Sequence, residues 1–198
     1  MNKLKFFTKQ YFKEYEDCIG KDFAKVIQNL EFSGKKEHFE YLIKASAVYS
    51  ANIEGNSIDL NSFMNYEHQK QKFKKTKEIE EIENLIEAYQ FAKTNDLLEK
   101  NLLKTHQILA KTLLNKNLCG KYRKDKVGVF GEYGLIYLAV EPEFVKNEMQ
   151  KFFSDVKYLI KTNLTIIEIF YFASFLHLRF AHIHPFMDGN GRIARILE

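Results

Sequence analysis

Residues capable of phosphate chemistry are concentrated in one short stretch, residues 184–195. Gly189, Asn190 and Gly191 predict a tight turn, because Gly and Asn are the residues that tolerate positive φ. A helix is predicted from Arg192 onward, so the turn leads into a helix N-terminus. A loop of this kind directs successive backbone N–H groups inward and creates an anion-binding nest. The stretch therefore predicts a phosphate site.

Four side chains around the turn supply the other groups that phosphate chemistry needs. Arg192 and Arg195 share one face of the predicted helix, and their guanidinium groups suit bidentate binding of phosphate. Asp188 is a hard oxygen ligand, placed where Mg²⁺ could bridge to bound phosphates. His184 is the one group there with a pKa suited to proton transfer near neutral pH. Together these groups favour phosphoryl or nucleotidyl transfer.

Residues 184–195 resemble the signature of the Fic (filamentation induced by cAMP) family, H-x-F-x-[D/E]-G-N-G-R-x-x-R, at every defined position. Two other loop motifs do not fit. An EF-hand loop that began at Asp188 would need Gly at its sixth position, where Ile193 stands. The P-loop pattern G-x-x-x-x-G-K-[ST] does not occur in the chain. The remaining alternative is a glycine turn that caps an ordinary helix with two solvated arginines, and the length of the motif argues against it.

The resemblance extends over roughly residues 100 to 198. His106, followed by Gly120-x-Tyr122-Arg123, resembles the opening of a Fic domain, and a β-hairpin predicted near residues 127–140 lies where the family has its flap. The resemblance implies a mainly α fold, a helical bundle with one β-hairpin flap. It implies an N-terminal helical region over residues 1–99 and a Fic core over 100–198. Family domains usually continue past the motif helix, so this core is expected to be truncated at Glu198, which leaves its activity open.

A second motif, Ser50-Ala51-Asn52-Ile53-Glu54-Gly55-Asn56, resembles the family's inhibitory signature, [S/T]-x-x-x-E-[G/N]. Glu54 lies at the C-terminal end of a predicted helix, where the macrodipole disfavours a carboxylate and a cationic partner is expected. The resemblance supplies Arg195 as that partner, with Ser50 as the other inhibitory residue. An exposed, unpaired glutamate is the alternative.

The resemblance implies an enzyme that transfers AMP from ATP to a Ser, Thr or Tyr hydroxyl of a target protein, with Mg²⁺ as cofactor. It implies that His184 is the catalytic base and that Asp188 holds the metal. Phe186 is also expected to anchor the loop in the core. The nucleotide-binding residues that it implies are Phe186, Asp188, Gly189, Asn190, Gly191, Arg192 and Arg195.

Other readings of the same motifs stay open at this point. One is a regulatory protein that binds nucleotide in a vestigial site, and another is removal of AMP, with Glu54 positioning a water. The target segment is expected to add as a strand to the hairpin edge near residues 127–140. The target protein, the modified residue type and the oligomeric state, including a homo-oligomer, cannot be read from the sequence. The family's name also links the chain to cell filamentation.

Composition limits the cellular setting. The chain has 198 residues and a net charge of +4 without a concentrated basic stripe, so we expect no specific nucleic-acid partner. The N-terminal segment lacks the apolar region of a secretory signal, and no apolar run is expected to be long enough to span a membrane. Cys18 and Cys119 lie far apart in sequence and suit a reduced compartment. We therefore expect a cytoplasmic protein without a membrane partner.

Hydrophobic periodicity predicts helices over most of the chain. A break is predicted at Ser33-Gly34, and residues 57–71 are predicted to be a polar connection with room for a short helix. The lysine and glutamate run of residues 72–83 is expected to be a solvated helix face. The predicted helical segments are residues 1–35, 37–54, 72–98, 101–114, 143–161 and 165–180.

Three histidines, His177, His182 and His184, form an H-x4-H-x-H pattern that could hold a transition metal. No cysteine or carboxylate completes a ligand set nearby in sequence. His177 and His182 are therefore expected to pack or to form hydrogen bonds. Whether they contribute to the phosphate site stays open.

Overall fold

The structure of the chain is a computed structural model, which describes residues 4–20, 22–29, 36–72 and 74–198. It is mainly α-helical with one β-hairpin, so the expected fold class is confirmed. The predicted break at Ser33-Gly34 lies outside the described residues. The elements are α1 (Phe12–Ile19), α2 (Phe23–Asn29), α3 (Lys36–Ile53), α4 (Leu60–His68), α5 (Lys77–Thr94), α6 (Glu99–Leu109), β1 (Gly128–Gly131), β2 (Gly134–Leu138), α7 (Pro142–Ile160), α8 (Ile166–Ile183) and α9 (Asn190–Leu197).

The chain divides into two compact units, and each is interrupted in sequence. The first unit comprises Met1–Ser33, Arg123–Pro185 and Leu197–Glu198, and so holds α1, α2, the hairpin, α7 and α8. The second unit comprises Gly34–Tyr122 and Phe186–Ile196, and so holds α3 to α6 and α9 except its last residue.

The core of the first unit is built on α8. Its N-terminus is fixed by a capping box, in which the Thr165 hydroxyl accepts from the Glu168 N–H and the Glu168 carboxylate accepts from the Thr165 N–H. The helices α1, α2 and α7 pack against it. Phe180 of α8 meets Phe152 of α7 with the ring centroids 6.0 Å apart, and both side chains are fully buried. These contacts give the unit a continuous aromatic core.

By length and composition alone, α8 could cross a membrane, because its 18 residues have a mean hydropathy of 1.3. The expectation that no apolar run reaches that length is therefore wrong by this measure. The core helix of a soluble protein passes the same test, so the finding is weak support for a membrane span. Of this window, 28% is buried inside the described structure.

The predicted hairpin is confirmed as an antiparallel pair, β1 with β2, which brings Gly128 opposite Leu138 and Gly131 opposite Gly134. Gly134 has a φ of 115°, a left-handed conformation that explains glycine in this turn. The Tyr137 hydroxyl on β2 donates to the His182 carbonyl and, at 3.3 Å, to the Ala181 carbonyl. The hairpin is thereby joined to the C-terminal end of α8 within the first unit.

The second unit is centred on α5, which packs against both α3 and α6. This helix begins at Lys77, later than the predicted Lys72, because the Thr76 hydroxyl accepts a hydrogen bond from the Ile79 N–H at 3.3 Å and caps it there. Buried side chains from the three helices are Ala47, Val48, Ala51, Ile82, Leu85, Ala88, Leu102 and Leu109.

Candidate functional site

The loop before α9 is closed by a single side chain, that of Asn190, which is 2% exposed. Its Oδ1 accepts from the Phe186 N–H at 2.9 Å, and its Nδ2 donates to the Phe186 carbonyl at 2.8 Å. Phe186 itself is fully buried, as expected for a loop anchor. Since the Asn190 amide is used inside the loop, any phosphate contact at this position would come from the backbone N–H at the helix start, which has no acceptor in the helix.

Two glycines of this loop have close neighbours. Gly189 has a φ of 80°, and a Cβ added there would lie 2.9 Å from Leu109 Cδ1. A Cβ added at Gly191 would lie 2.5 Å from Glu54 Oε1. A side chain at Gly189 is strained by the backbone conformation, whereas one at Gly191 would require the Glu54 carboxylate to shift.

His106 of α6 contacts the loop, a position that its place in the family resemblance did not predict. The Gly120 N–H donates to Nδ1 at 2.8 Å, so the protonated Nε2 donates to the Asp188 carbonyl at 3.0 Å. The ring stacks on Phe186 with the centroids 3.6 Å apart and an angle of 4°. Burial lowers the pKa of His106 to about 4, against the weaker opposing effect of its bond to Asp188. The imidazole is therefore neutral near pH 7 and serves as a fixed hydrogen-bond donor.

Arg192 lies between two carboxylates. Its Nη2 pairs with Glu81 Oε1, and its Nη1 lies 3.6 Å from Asp188 Oδ1. The side chain of Arg192 is 7% exposed, that of Glu81 14% and that of Asp188 50%. The expectation that the charges of residues 72–83 form only a solvated face is therefore wrong for Glu81, which pairs with an arginine distant in sequence.

Arg195, one turn further along α9, contacts the end of α3. Its Nη2 donates to Glu54 Oε1 at 2.6 Å and to the Ser50 carbonyl at 3.1 Å, and its Nε donates to Ser50 Oγ at 2.8 Å. Ser50 is 2% exposed. The second unit therefore brings both predicted inhibitory residues onto the second arginine of the signature.

His184, in the first unit, ends α8 in a left-handed conformation with a φ of 50°. Its Nδ1 lies 3.2 Å from the Ala181 carbonyl, which can only accept, so this nitrogen donates. In that tautomer of the neutral ring, Nε2 is the nitrogen that can take up a proton.

The backbone around His184 is fixed by Arg123, which is 3% exposed. Its Nε donates to the His184 carbonyl at 2.7 Å, its Nη2 to the Ile183 and Val140 carbonyls, and its backbone N–H to the Pro185 carbonyl at 2.9 Å. Burial lowers the pKa of this guanidinium below its usual value. One side chain thus donates to carbonyls at the end of α8 and after the end of the hairpin. The sequence could not indicate this role.

The Fic/DOC family model matches residues 96–198, more than half of the chain. The chain belongs to the Fic/DOC family. The proposed division between residues 1–99 and a Fic core over 100–198 stays a prediction.

Three relatives illustrate how far the similarity reaches. Protein adenylyltransferase Fic from Nematostella vectensis is 35% identical over 78 residues, which are 39% of this chain and 16% of that protein. A Fic family protein from Desulfovibrio desulfuricans G20 is 25% identical with a TM-score of 0.67, over 98% of this chain and 58% of its own. A Fic domain containing signaling protein from Bacteroides thetaiotaomicron VPI-5482 is 22% identical with a TM-score of 0.71, over 95% of this chain and 70% of its own. This Fic/DOC chain therefore spans a small part of the curated relative.

The other two histidines of the H-x4-H-x-H pattern in this Fic/DOC chain have partners of their own. His177 Nδ1 lies 3.0 Å from Glu198 Oε2, and the His182 ring lies 5.7 Å from the Tyr137 ring, centroid to centroid. Within the described ranges, no group of three or more His, Cys, Asp and Glu side chains could hold a metal.

Asp188 alone nevertheless suits Mg²⁺. This ion usually keeps several waters and binds one or two carboxylates together with substrate phosphates. A half-exposed carboxylate at the start of a helix meets that requirement.

Proposed function

We propose that this Fic/DOC protein transfers AMP from ATP to a Ser, Thr or Tyr hydroxyl of a target protein and releases pyrophosphate. The observation that carries the proposal is the loop of residues 186–189. The Asn190 side chain closes it, Gly189 ends it, and it leads into α9 with Arg192 and Arg195. The similarity to the Nematostella vectensis adenylyltransferase supports the choice of AMP as the transferred group.

His184 is the catalytic base of the proposed reaction. The target hydroxyl oxygen attacks the α-phosphorus, the bond from that phosphorus to the oxygen bridging it to the β-phosphate breaks, and pyrophosphate leaves. The hydroxyl proton passes to Nε2 of His184, the nitrogen left as acceptor by the bond to Ala181.

The loop and α9 bind the phosphates in this proposal. Backbone N–H groups from Gly189 to Gly191 would bind the α- and β-phosphates and stabilise the charge that develops on them, for which the Gly189 N–H must leave Asp188 Oδ1, to which it donates at 2.5 Å. Arg192 helps to hold the same phosphates, and Arg195 binds the γ-phosphate. Asp188 would hold Mg²⁺, which supplies charge neutralisation to the phosphates when bound.

Inhibition by Glu54 forms part of the same proposal. Its carboxylate already pairs with Arg195 at 2.6 Å, so it competes with a γ-phosphate for one guanidinium. ATP that entered without that contact would not have its phosphates in line for attack. The protein is therefore proposed to be autoinhibited, and activation requires Glu54 to leave Arg195.

The hairpin is the proposed docking element for the target. The structure describes a two-stranded sheet, so each strand has an unpaired edge to which an extended target segment could add. Tyr133, Ile136 and Leu138 are exposed there and offer apolar contacts.

A cytoplasmic location is part of the proposal, since the exposed Cys18 is a free thiol.

A transfer assay with ATP labelled at the α-phosphate tests this function. We expect the Glu54→Gly protein, mixed with cell lysate, to transfer the label to protein, whereas ATP labelled at the γ-phosphate gives none. His184→Ala should lower transfer by about 10²–10⁴-fold, the usual worth of a general base, without loss of nucleotide binding. ATP binding without transfer would favour the regulatory alternative, and release of AMP from modified protein would favour the reverse reaction.

A further inference from the structure

The turn after Glu54 is attached to α5 by the side chain of Asn56, which is 9% exposed. Gly55 has a φ of 94°, and the Asn56 N–H donates to the Ala51 carbonyl at 3.1 Å, so the turn closes back on α3. Asn56 Nδ2 then donates to the Glu78 carbonyl at 3.0 Å and to Glu81 Oε2 at 3.2 Å. The position of the inhibitory turn is thereby tied to α5.

The Glu81 carboxylate has a different partner on each oxygen. Oε1 pairs with Nη2 of Arg192, and Oε2 accepts from Asn56. Arg192 Nε is buried and has no hydrogen-bond partner among the described residues. A carboxylate and a guanidinium can form two parallel bonds, through Nε and Nη2, when both carboxylate oxygens are available. Asn56 therefore donates to the oxygen that would complete the pairing with Arg192, and competes with Nε for it.

We propose that Glu81 is a positioning residue for Arg192. Through its bond to Asn56, the pairing of Glu81 with Arg192 also depends on the position of the turn that follows Glu54. Glu81 fixes one side of the guanidinium, so that Nη1 faces Asp188, the proposed metal ligand, at 3.6 Å. The inference rests on the proposed function in one respect, that Arg192 and Asp188 belong to a nucleotide site.

The network joins two contacts of α9 that are otherwise separate. Glu54 holds Arg195 from the end of α3, and Glu81 holds Arg192 from α5. Asn56 lies two residues after Glu54 and donates to Glu81 Oε2. Movement of that turn therefore changes whether this oxygen can accept from Arg192. Release of Glu54 therefore alters both arginines of the signature rather than one.

Glu81→Gln tests the positioning role in the Glu54→Gly background. The amide has an NH₂ group in place of one carboxylate oxygen, so one of the two donors, that of Arg192 or that of Asn56, would face another donor instead of an acceptor. We expect the dissociation constant for ATP with Mg²⁺ to rise about tenfold, equivalent to about 1.4 kcal/mol, and the Mg²⁺ concentration for half-maximal binding to rise with it. Titration calorimetry measures both.

Glu83→Gln is the matched control, because Glu83 lies on the same helix and pairs with Lys70 and Lys75 instead. It should change ATP affinity less than about twofold, within the additivity error of independent sites. Equal losses of affinity for Glu81→Gln and Glu83→Gln would overturn the positioning role, and a loss confined to Glu81→Gln would support it.

A double-mutant cycle between Asn56→Ala and Glu81→Gln tests the coupling without nucleotide. Asn56→Ala also removes hydrogen bonds with Glu78 and Ile58. Those losses are the same with and without Glu81→Gln, so only the hydrogen bond between Asn56 and Glu81 makes the stability changes non-additive. We expect the urea midpoint of the double variant to fall by less than the sum of the two single shifts. An additive cycle would overturn the coupling. Absence of ATP binding by Glu54→Gly itself would instead count against the proposed function, and the cycle would then decide the coupling alone.

Discussion

At the scale of single residues, the loop owes its shape to side chains that come from distant parts of the sequence. His106 donates to the carbonyl of Asp188, and the carboxylate of that residue, which is half exposed, accepts from the Gly189 N–H at 2.5 Å. The His106 ring also covers one face of Phe186. A protonated His106 could not accept from the Gly120 N–H, so the loop depends on a neutral imidazole.

The stability of the protein should therefore depend on pH through His106. Its pKa is about 4 in the folded protein and 6.5 ordinarily, so the unfolded chain takes up this proton first as the pH falls. The contribution is fully present above about pH 6.5 and is lost as the pH approaches 4, by about 3 kcal/mol in all. In urea unfolding between these pH values, the free energy of unfolding of His106→Phe should depend less on pH than that of the wild-type protein.

His68→Gln is the control for that measurement, because His68 is exposed on the last turn of α4. This variant should keep the pH dependence of the wild-type protein. The same dependence in His106→Phe would show that other groups cause it and would contradict the neutral, buried imidazole.

Asp188→Ala should remove the Mg²⁺ dependence of ATP binding, because its carboxylate is the one metal ligand that the signature offers. Titration of ATP with and without Mg²⁺ in the Glu54→Gly background measures the effect. An unchanged response to Mg²⁺ would assign the metal to other residues.

The signature could be predicted from the sequence because its residues are contiguous. The Glu54–Arg195 pair could be predicted only through the family resemblance, since the two residues are 141 positions apart. The contacts of His106, Glu81 and Asn56 could not be predicted, because they depend on how α3, α5, α6 and α9 pack. For Glu81 the local charge pattern was misleading, since it resembles a solvated helix face.

At the scale of elements, periodicity located the helices and turn chemistry located the hairpin. Helix boundaries depended on single capping residues, as at Thr76, where one hydroxyl starts α5 five residues after the predicted position. The N-terminal segment is a different case, because no periodic pattern determines where it attaches. Asp155 of α7, which is 2% exposed, accepts from the backbone N–H groups of Lys5, Phe6 and Phe7.

Asp155→Asn should release that segment from the first unit. The amide oxygen can replace only part of the carboxylate's acceptor capacity, and its NH₂ group would face backbone donors. We expect a loss of about 2 kcal/mol in the free energy of unfolding, the scale of hydrogen bonds to a charged group. Limited proteolysis should also cleave the segment faster. Glu148→Gln, on the same helix and paired with Lys151, should change stability by less than about 0.5 kcal/mol.

At the scale of the whole molecule, the two compact units interleave along the sequence. The first takes residues from three stretches and the second from two, so the signature itself is shared: His184 belongs to the first unit, and Phe186 to Arg195 belong to the second. Sequence patterns are local and predict contiguous segments, which is why they did not predict this division. The contact between Glu54 and Arg195, which we propose to be inhibitory, lies wholly in the second unit.

Glu54→Gly should raise AMP transfer by about 10- to 100-fold, because a γ-phosphate can then form the charge-assisted hydrogen bond with Arg195 that Glu54 prevents, a bond of about 1.5–3 kcal/mol. The side chains of Arg195 and Glu54 are 20% and 30% exposed. Solvent therefore screens the pair, and its loss should lower the free energy of unfolding by no more than about 1 kcal/mol. Initial rates with ATP labelled at the α-phosphate, measured beside urea unfolding curves, separate activation from destabilisation.

Arg195→Ala distinguishes release of the inhibitor from simple loss of the ion pair. It abolishes the same contact with Glu54, but it also removes the proposed γ-phosphate ligand, so it should lower transfer instead of raising it. The double variant should behave like Arg195→Ala, because the benefit of freeing a guanidinium requires the guanidinium to be present. Activation by Arg195→Ala would contradict its role toward the γ-phosphate. Equal rates for the wild-type and Glu54→Gly proteins, with ATP bound by both, would contradict inhibition by Glu54.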